Sequence, residues 1–239
     1  MVNMSSVKAL SSVYRRGRTF RMTGGRVHYA IPRSSIAPGK RAFDICFAAS
    51  VLLLLMPLYL LVTLLIYISS PGPIFFTQER VGRDYKTFKC YKFRTMVQDA
   101  DRVLSDILAR NPAMRAEFAE TFKLKRDPRI TWIGRFLRAT SLDEFPQFWN
   151  VLKGDMSIVG PRPLVPEELP RYGRHIDKVL TVRPGITGVW QVSGRNDIPY
   201  EKRVKIDVYY VNFRSLWLDL GIVLKTIGVV VFPKNNGAY

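Results

Sequence analysis

The sequence predicts a mainly helical α/β (α+β) protein, with a re-entrant membrane helix leading into a small cytoplasmic domain of short strands and amphipathic interfacial helices. Three observations predict this. No charged residue lies between Ile45 and Gln78, a run of 34 residues. Basic residues flank that run on both sides, and Pro57 divides it. Beyond it, short strand-like and helix-like segments alternate with loops rich in Pro and Gly.

Residues 1–43 hold nine Lys or Arg, from Lys8 to Arg41, and no acid. With Ser, Gly and Pro and no sustained helical period, residues 1–39 read as a basic flexible arm, either solvated or held electrostatically to anionic lipid. Residues 40–72 form the membrane segment. Phe47–Ile68 is long enough to cross a bilayer, since about 20 residues cover the ~30 Å hydrocarbon core. Pro57 breaks it into pieces of about 12 residues, each reaching about 18 Å, one leaflet deep. Lys40 and Arg41 before it, and Arg80, Arg83, Lys86, Lys89, Lys92 and Arg94 after it, place both ends in the cytoplasm. A hairpin-like re-entrant helix satisfies all of this; a kinked span and a buried core helix are the alternatives. The long approach and the missing small-x-small site argue against a cleavable signal peptide.

Residues 73–232 form the cytoplasmic domain, and 233–239 a tail. Ile74–Thr77 and Thr87–Arg94 read as strands joined around Gly82. Ala100–Phe122 has helical spacing interrupted at Asn111-Pro112. Ile130–Arg138 and Glu144–Leu152 read as helices, the second stopped by Gly154. From Gly160 to Asn196 the chain is too dense in Pro and Gly for long elements. Glu201–Phe213 and Leu216–Phe232 read as terminal helices; the last has almost no polar face and belongs either in the membrane surface or in the core.

Composition narrows the function. Net charge is +18 with pI near 10.2, which calls for a polyanionic partner. Two cysteines, Cys46 and Cys90, exclude a disulfide framework and a cysteine-rich zinc site. His28 and His175 alone leave almost no room for multi-histidine metal sites or His-dependent triads.

Four clusters have the residue types for phosphate chemistry. Ser141-Leu142-Asp143-Glu144 has the spacing of a capping box; alternatively, its adjacent carboxylates bind a divalent cation and attack a phosphoryl group. Lys89, Lys92 and Arg94 share one strand, as a solvated face or an anion site. In Gly160-Pro161-Arg162-Pro163 two prolines brace one guanidinium, a rigid fork suited to bidentate phosphate binding. Arg183-Pro184-Gly185 and Gly194-Arg195-Asn196 pair arginine with glycine, as loops that cradle pyrophosphate do.

Several ordered motifs carry a resemblance. KRAFDICFAAS, SPGPIFFTQERVGRDYKTFKCYKFRTM, LRATSLDEFPQFWNVLKGDMSIVGPRPL, VRPGITGVWQVSGRN and DVYYVNFRSLWLDLGIVLKT resemble the bacterial sugar transferases, the monotopic polyprenyl-phosphate hexose-1-phosphate transferases, from about Lys40 to Val231. The resemblance implies transfer of a hexose-1-phosphate from a UDP-sugar to undecaprenyl phosphate, with UMP released, at the start of exopolysaccharide, O-antigen or other glycoconjugate assembly. It implies a ping-pong route in which Asp143 is the nucleophile and Glu144 helps hold Mg²⁺. Lys92, Arg94 and Arg162, with Arg183 and Arg195, would bind substrate phosphates. Residues 73–232 would be the catalytic domain, on the cytoplasmic face of the bacterial inner membrane. Implied partners are the UDP-sugar, undecaprenyl phosphate and membrane lipids, not nucleic acid; downstream glycosyltransferases and a homodimer stay open, as does the choice of hexose, galactose or glucose first. One departure stands out: Met56, not Ser, precedes the helix-breaking Pro57 and offers no hydroxyl to a carbonyl freed by the break. The rival functions are a membrane-attached nucleotide-sugar hydrolase and a non-enzymatic basic membrane scaffold.

Overall fold

The structure, a computed structural model, describes residues 38–121, 124, 126–194 and 197–231. Most of the basic arm, Arg195 and the tail lie outside the described residues.

The apolar run folds as two helices, α1 (Pro38–Leu54) and α2 (Met56–Ser69), bent by 62°. The break is where the sequence places it. Pro57 has no N–H for the Leu53 carbonyl, and in the first turn of α2 that loss is tolerated. The helical ladder is intact on either side: Leu55 N–H donates to Val51 O at 3.0 Å, and Tyr59 N–H to Leu55 O at 2.9 Å. Each piece is longer than expected, 17 and 14 residues, because α1 includes the polar turn around Lys40 and α2 runs on to Ser69. No single helix among the described residues is long and apolar enough to cross a membrane; only this bent pair has the length and composition, taken together.

The pair buries one face and exposes the other. Val62 and Ile66 of α2 pack with Phe93, Ile133 and Leu137, each burial stabilising by about 1.5–3 kcal/mol. Leu53, Leu54, Leu60, Leu61, Leu64 and Ile68 are exposed, Leu54 by 75%. Polar bonds anchor the base of α1. Lys40 Nζ lies 2.8 Å from Asp44 Oδ1 and 3.0 Å from Asp219 Oδ2, and both acids are buried. Asp44 Oδ1 also accepts from Ser157 Oγ and from the Ile158 N–H, each at 3.1 Å. Unpaired, such charges would be costly.

Strands β1 (Phe75–Val81) and β2 (Thr87–Phe93) pair antiparallel, Phe75 opposite Phe93 and Val81 opposite Thr87. β1 extends past the expected end at Thr77, because ladder pairing carries the polar run Gln78-Glu79-Arg80 along with it. Asp84 and Tyr85 turn the hairpin in left-handed conformation, and the Tyr85 hydroxyl donates to Asp177. Helices α3 (Ala100–Arg110) and α4 (Pro112–Thr121) meet at the expected Asn111 break, where Asn111 Oδ1 accepts from the Met114 N–H at 3.1 Å.

Helix α5 (Trp132–Thr140) is capped by Thr131 Oγ1, which accepts from the Gly134 N–H at 3.0 Å. A Cβ on Gly134 would stand 2.0 Å from the Thr95 carbonyl oxygen, so only glycine lets α5 approach that closely. The capping box expected at Ser141 does not form. Ser141 is the left-handed C-cap of α5 (φ 59°), and its side chain makes no cap bond. Leu142–Glu144 form a 3₁₀ turn, and α6 (Gln147–Lys153) begins after Pro146, three residues later than expected. Gly154 ends α6 at φ 91°, as its position suggests.

Strand β3 (Ser157–Val159), just before the Pro/Gly-dense region, pairs in parallel with β4 (Gly185–Thr187) inside it. Between them lie the one-turn helices α7 (Leu169–Tyr172) and α8 (Ile176–Val179). Helices α9 (Tyr200–Phe213) and α10 (Leu216–Val231) close the domain. One face of the last helix belongs to the core, through Ile222 and Val223 of α10, while Trp217 is 83% exposed and Leu224 and Ile227 face outward.

Candidate active site

Side chains from β2, the Leu142–Glu144 turn, α6 and the β3–β4 loops converge on one pocket. Lys92 comes from β2 and Glu144 from the turn; Arg162 and Pro163 follow β3, and Ile186 lies on β4. The turn is held against β2 by Asn150 of α6, which is fully buried. Its Oδ1 accepts from the Tyr91 N–H at 3.0 Å, and its Nδ2 donates to the Lys89 carbonyl at 2.7 Å.

Lys92 Nζ donates to Glu144 Oε1 at 2.6 Å, a charge-assisted bond across 52 residues of sequence. Burial pushes the Glu144 carboxyl up, but Lys92, Arg162 and Arg80 outweigh it and hold the carboxyl below its ordinary value. Asp143 goes the other way. Burial first, then the neighbouring Glu144 charge, push it up to about 6, against partial relief from Lys92 and Arg138. Two adjacent carboxyls in one site therefore have separated affinities for a proton, a pattern found where acid and anion have different tasks.

Of the residues singled out in the sequence, Lys92, Glu144 and Arg162 line the pocket and Asp143 flanks it within the same turn. Arg94 goes elsewhere: its Nη2 donates to the Ser70 carbonyl at the exit of α2. Arg183 donates through Nε to the Gly154 carbonyl at 2.7 Å and is not among the pocket residues. Arg195 lies outside the described residues, and Pro57 stands at the α1–α2 bend.

Arg80, Cys90, Gln147 and Gln191 also line the pocket, and sequence reading missed all four. Cys90 stands two residues before Lys92 on β2, so strand alternation places the two on one face. Gln147 follows Glu144 by three residues through the turn. Arg80 and Gln191 had no signal, because only the pairing of β1 and the fold of the β4 loop bring them in. Burial pushes the Cys90 thiol up to about 11, which favours the protonated thiol over the thiolate.

Among the described residues no group of three or more His, Cys, Asp or Glu side chains could cage a metal ion. Mg²⁺ needs no such cage. It keeps several waters and binds through one or two carboxylates plus substrate phosphates. Asp143 and Glu144 are such a pair, and the burden that Glu144 places on Asp143 is the kind a cation relieves. The residues present fit the ion.

The sequence profile of the family described as bacterial sugar transferase matches residues 35–233. The chain belongs to the bacterial sugar transferase family. This family member is 52% identical over 200 residues to the UDP-galactose-lipid carrier transferase of Erwinia amylovora, covering 84% of the chain and 41% of that relative. It is 50% identical over 200 residues to the undecaprenyl-phosphate galactose phosphotransferase of Salmonella typhimurium, with the same coverage of both chains. It is 48% identical over 197 residues to the exopolysaccharide production protein ExoY of Sinorhizobium fredii, covering 82% of the chain and 87% of ExoY. The chain thus spans about two fifths of the first two relatives' length and most of the third's.

Proposed function

We propose that the protein transfers a hexose-1-phosphate, galactose-1-phosphate first among the candidates, from a UDP-sugar to undecaprenyl phosphate. The observation that carries the reading is the placement of Asp143 and Glu144 in one turn at a pocket lined by Lys92 and Arg162, with Lys92 Nζ 2.6 Å from Glu144 Oε1. The names of the relatives support the lipid acceptor and the galactose donor.

The chemistry follows from the charges. The Asp143 carboxylate attacks the phosphorus that bears the sugar; the bond to the bridging oxygen breaks, and UMP leaves with that electron pair. A phospho-sugar ester remains on Asp143. An oxygen of undecaprenyl phosphate then attacks the same phosphorus and frees the carboxylate. Both attacks bring anion to anion, and Lys92 and Arg162 offset the repulsion. Glu144 and Asp143 would hold Mg²⁺, which would supply positive charge to phosphoryl oxygens. The two half-reactions let a water-soluble and a lipid substrate use one site in turn. The acceptor arrives from the bilayer entered by the exposed face of α1 and α2, with residues 73–232 on the cytoplasmic side and the bent pair re-entrant.

A panel of UDP-sugars with undecaprenyl phosphate, scored for sugar-phosphate in the lipid phase, tests this. UDP-galactose should be accepted, and chelating Mg²⁺ or replacing Glu144 by Gln should lower the rate at least a hundredfold. Sugar phosphate released into water at the same rate with or without lipid would instead make the protein a hydrolase.

A further inference from the structure

The pocket holds one cation to which the proposed chemistry gives no task. Arg80, near the end of β1, is buried and forms part of the pocket wall. Its Nη1 donates to the Pro163 carbonyl at 3.1 Å and its Nη2 to Gln78 Oε1 at 2.6 Å. The next residue continues the attachment: the Val81 N–H donates to the Leu164 carbonyl at 2.8 Å, an isolated antiparallel bridge. Glu168 Oε2, 4.0 Å from Arg80 Nη1, accepts from the Val165 N–H at 3.1 Å. Residues 163, 164 and 165 are thus fixed one after another to β1 and its neighbour Glu168.

The other side of Arg162 is fixed as well. The Pro161 carbonyl accepts from the Gly185 N–H at 2.8 Å, and the Gly160 N–H donates to the Thr187 carbonyl at 3.0 Å. Arg162 stands between the two pinned stretches, its guanidinium 6.0 Å from the centre of the Trp190 ring. Arg162 is itself exposed, yet the backbone on both sides of it is pinned. The mounting also brings two guanidinium groups to one pocket, and burial followed by the Arg162 charge holds Arg80 below its ordinary value. Such crowding is tolerable where an anion joins the two.

We propose that Arg80 is a positioning residue: by holding the Pro163 carbonyl and the Gln78 amide at once, it fixes the Arg162 loop to β1 so that Arg162 presents its fork to a diphosphate in one orientation. The identity of that diphosphate, a nucleoside diphosphate sugar, rests on the proposed function. Two donors at fixed spacing are required, so lysine cannot replace arginine here.

Calorimetric titration of full-length protein in detergent with UDP tests the assignment. Arg80→Lys keeps the charge but loses the bridge and should weaken UDP binding about tenfold, the order of one hydrogen bond to a charged group. Arg162→Lys should weaken it similarly. The double variant should be no weaker than about the weaker single variant, because both remove the same oriented contact. A purely structural Arg80 would lower the unfolding temperature while its effect on UDP affinity multiplied with that of Arg162→Lys; multiplying effects, or undiminished affinity in Arg80→Lys, overturn the proposal. If Arg80→Lys does not fold, Gln78→Leu decides. It removes one of the two bonds and leaves the arginine, so affinity should fall about threefold, and unchanged affinity overturns the proposal. Wild-type protein that binds UDP yet transfers nothing to undecaprenyl phosphate contradicts the proposed function instead and leaves the Arg80 comparison standing.

Discussion

Asp207 shows at one residue how burial outweighs its neighbours in this fold, since the Tyr172 and Trp190 side chains and the Arg162 charge all pull its proton affinity the other way. It is 1% exposed on α9, its Oδ2 accepting from the Tyr172 hydroxyl at 2.8 Å. Burial pushes its carboxyl up to about 7 from an ordinary 3.8. The native state therefore keeps a proton that the unfolded chain gives up near pH 4, and stability must fall as pH rises from about 4 to 7. Above 7 the loss is complete, on the order of 4 kcal/mol. Asp207→Asn keeps an acceptor for Tyr172 and has no proton to lose. Relative to wild type, its unfolding midpoint should rise steadily between pH 4 and 7 and level off beyond; a pH-independent difference would remove Asp207 as the cause. Asp143 and Glu144 follow the same electrostatics with different neighbours. The adjacent carboxyls and the braced Arg162 were legible in the sequence because short motifs carry them. The pairing of Glu144 with Lys92 was not, since 52 residues separate them and only the docking of α6 on β2 through Asn150 brings them together.

Among the elements, the bent pair α1–α2 is the one that, in the proposed function, sets how the protein meets a bilayer. Its break was legible because Pro57 acts locally, removing a donor whatever surrounds it. The α3–α4 break at Asn111-Pro112 was legible for the same reason. The three-residue strands β3 and β4 were not, because each is too short to show a period and they pair across a loop of 25 residues. The capping box at Ser141 was misread because its spacing is also that of a C-cap followed by a 3₁₀ turn, and the close approach of α5 decides between them. Arg41 closes the base of α1, donating to the Val151 carbonyl at 2.7 Å and the Leu152 carbonyl at 3.0 Å. With the pair re-entrant, single cysteines at Ser35 and Thr87, in a background lacking Cys46 and Cys90, should react with an impermeant thiol reagent from the same side of sealed vesicles. Labelling from opposite sides would establish a full span. Pro57→Leu restores the missing N–H and should convert same-side to opposite-side labelling in part of the population.

For the whole molecule, charge and apolar surface divide the work. Net charge is +18, half of it carried by residues 1–43, and that half suits an anionic membrane face. The remaining cations include Arg80, Lys92 and Arg162 around the pocket. The exposed leucines of α1 and α2, with Trp132 and Phe136 of α5 and Trp217 of α10, are large apolar side chains on the surface. In the proposed function a lipid-anchored acceptor and a soluble donor use one site in turn, and the covalent intermediate on Asp143 is its central claim. The direct measurement is a single-turnover assay with Mg²⁺ and UDP-galactose but no lipid, followed by mass spectrometry of the peptide containing Asp143. About one UMP per protein should appear and then stop, with a hexose-phosphate adduct on that peptide, and Asp143→Asn should show neither. Continuous UMP release without lipid, or sugar-phosphate transfer by Asp143→Asn, would contradict the mechanism.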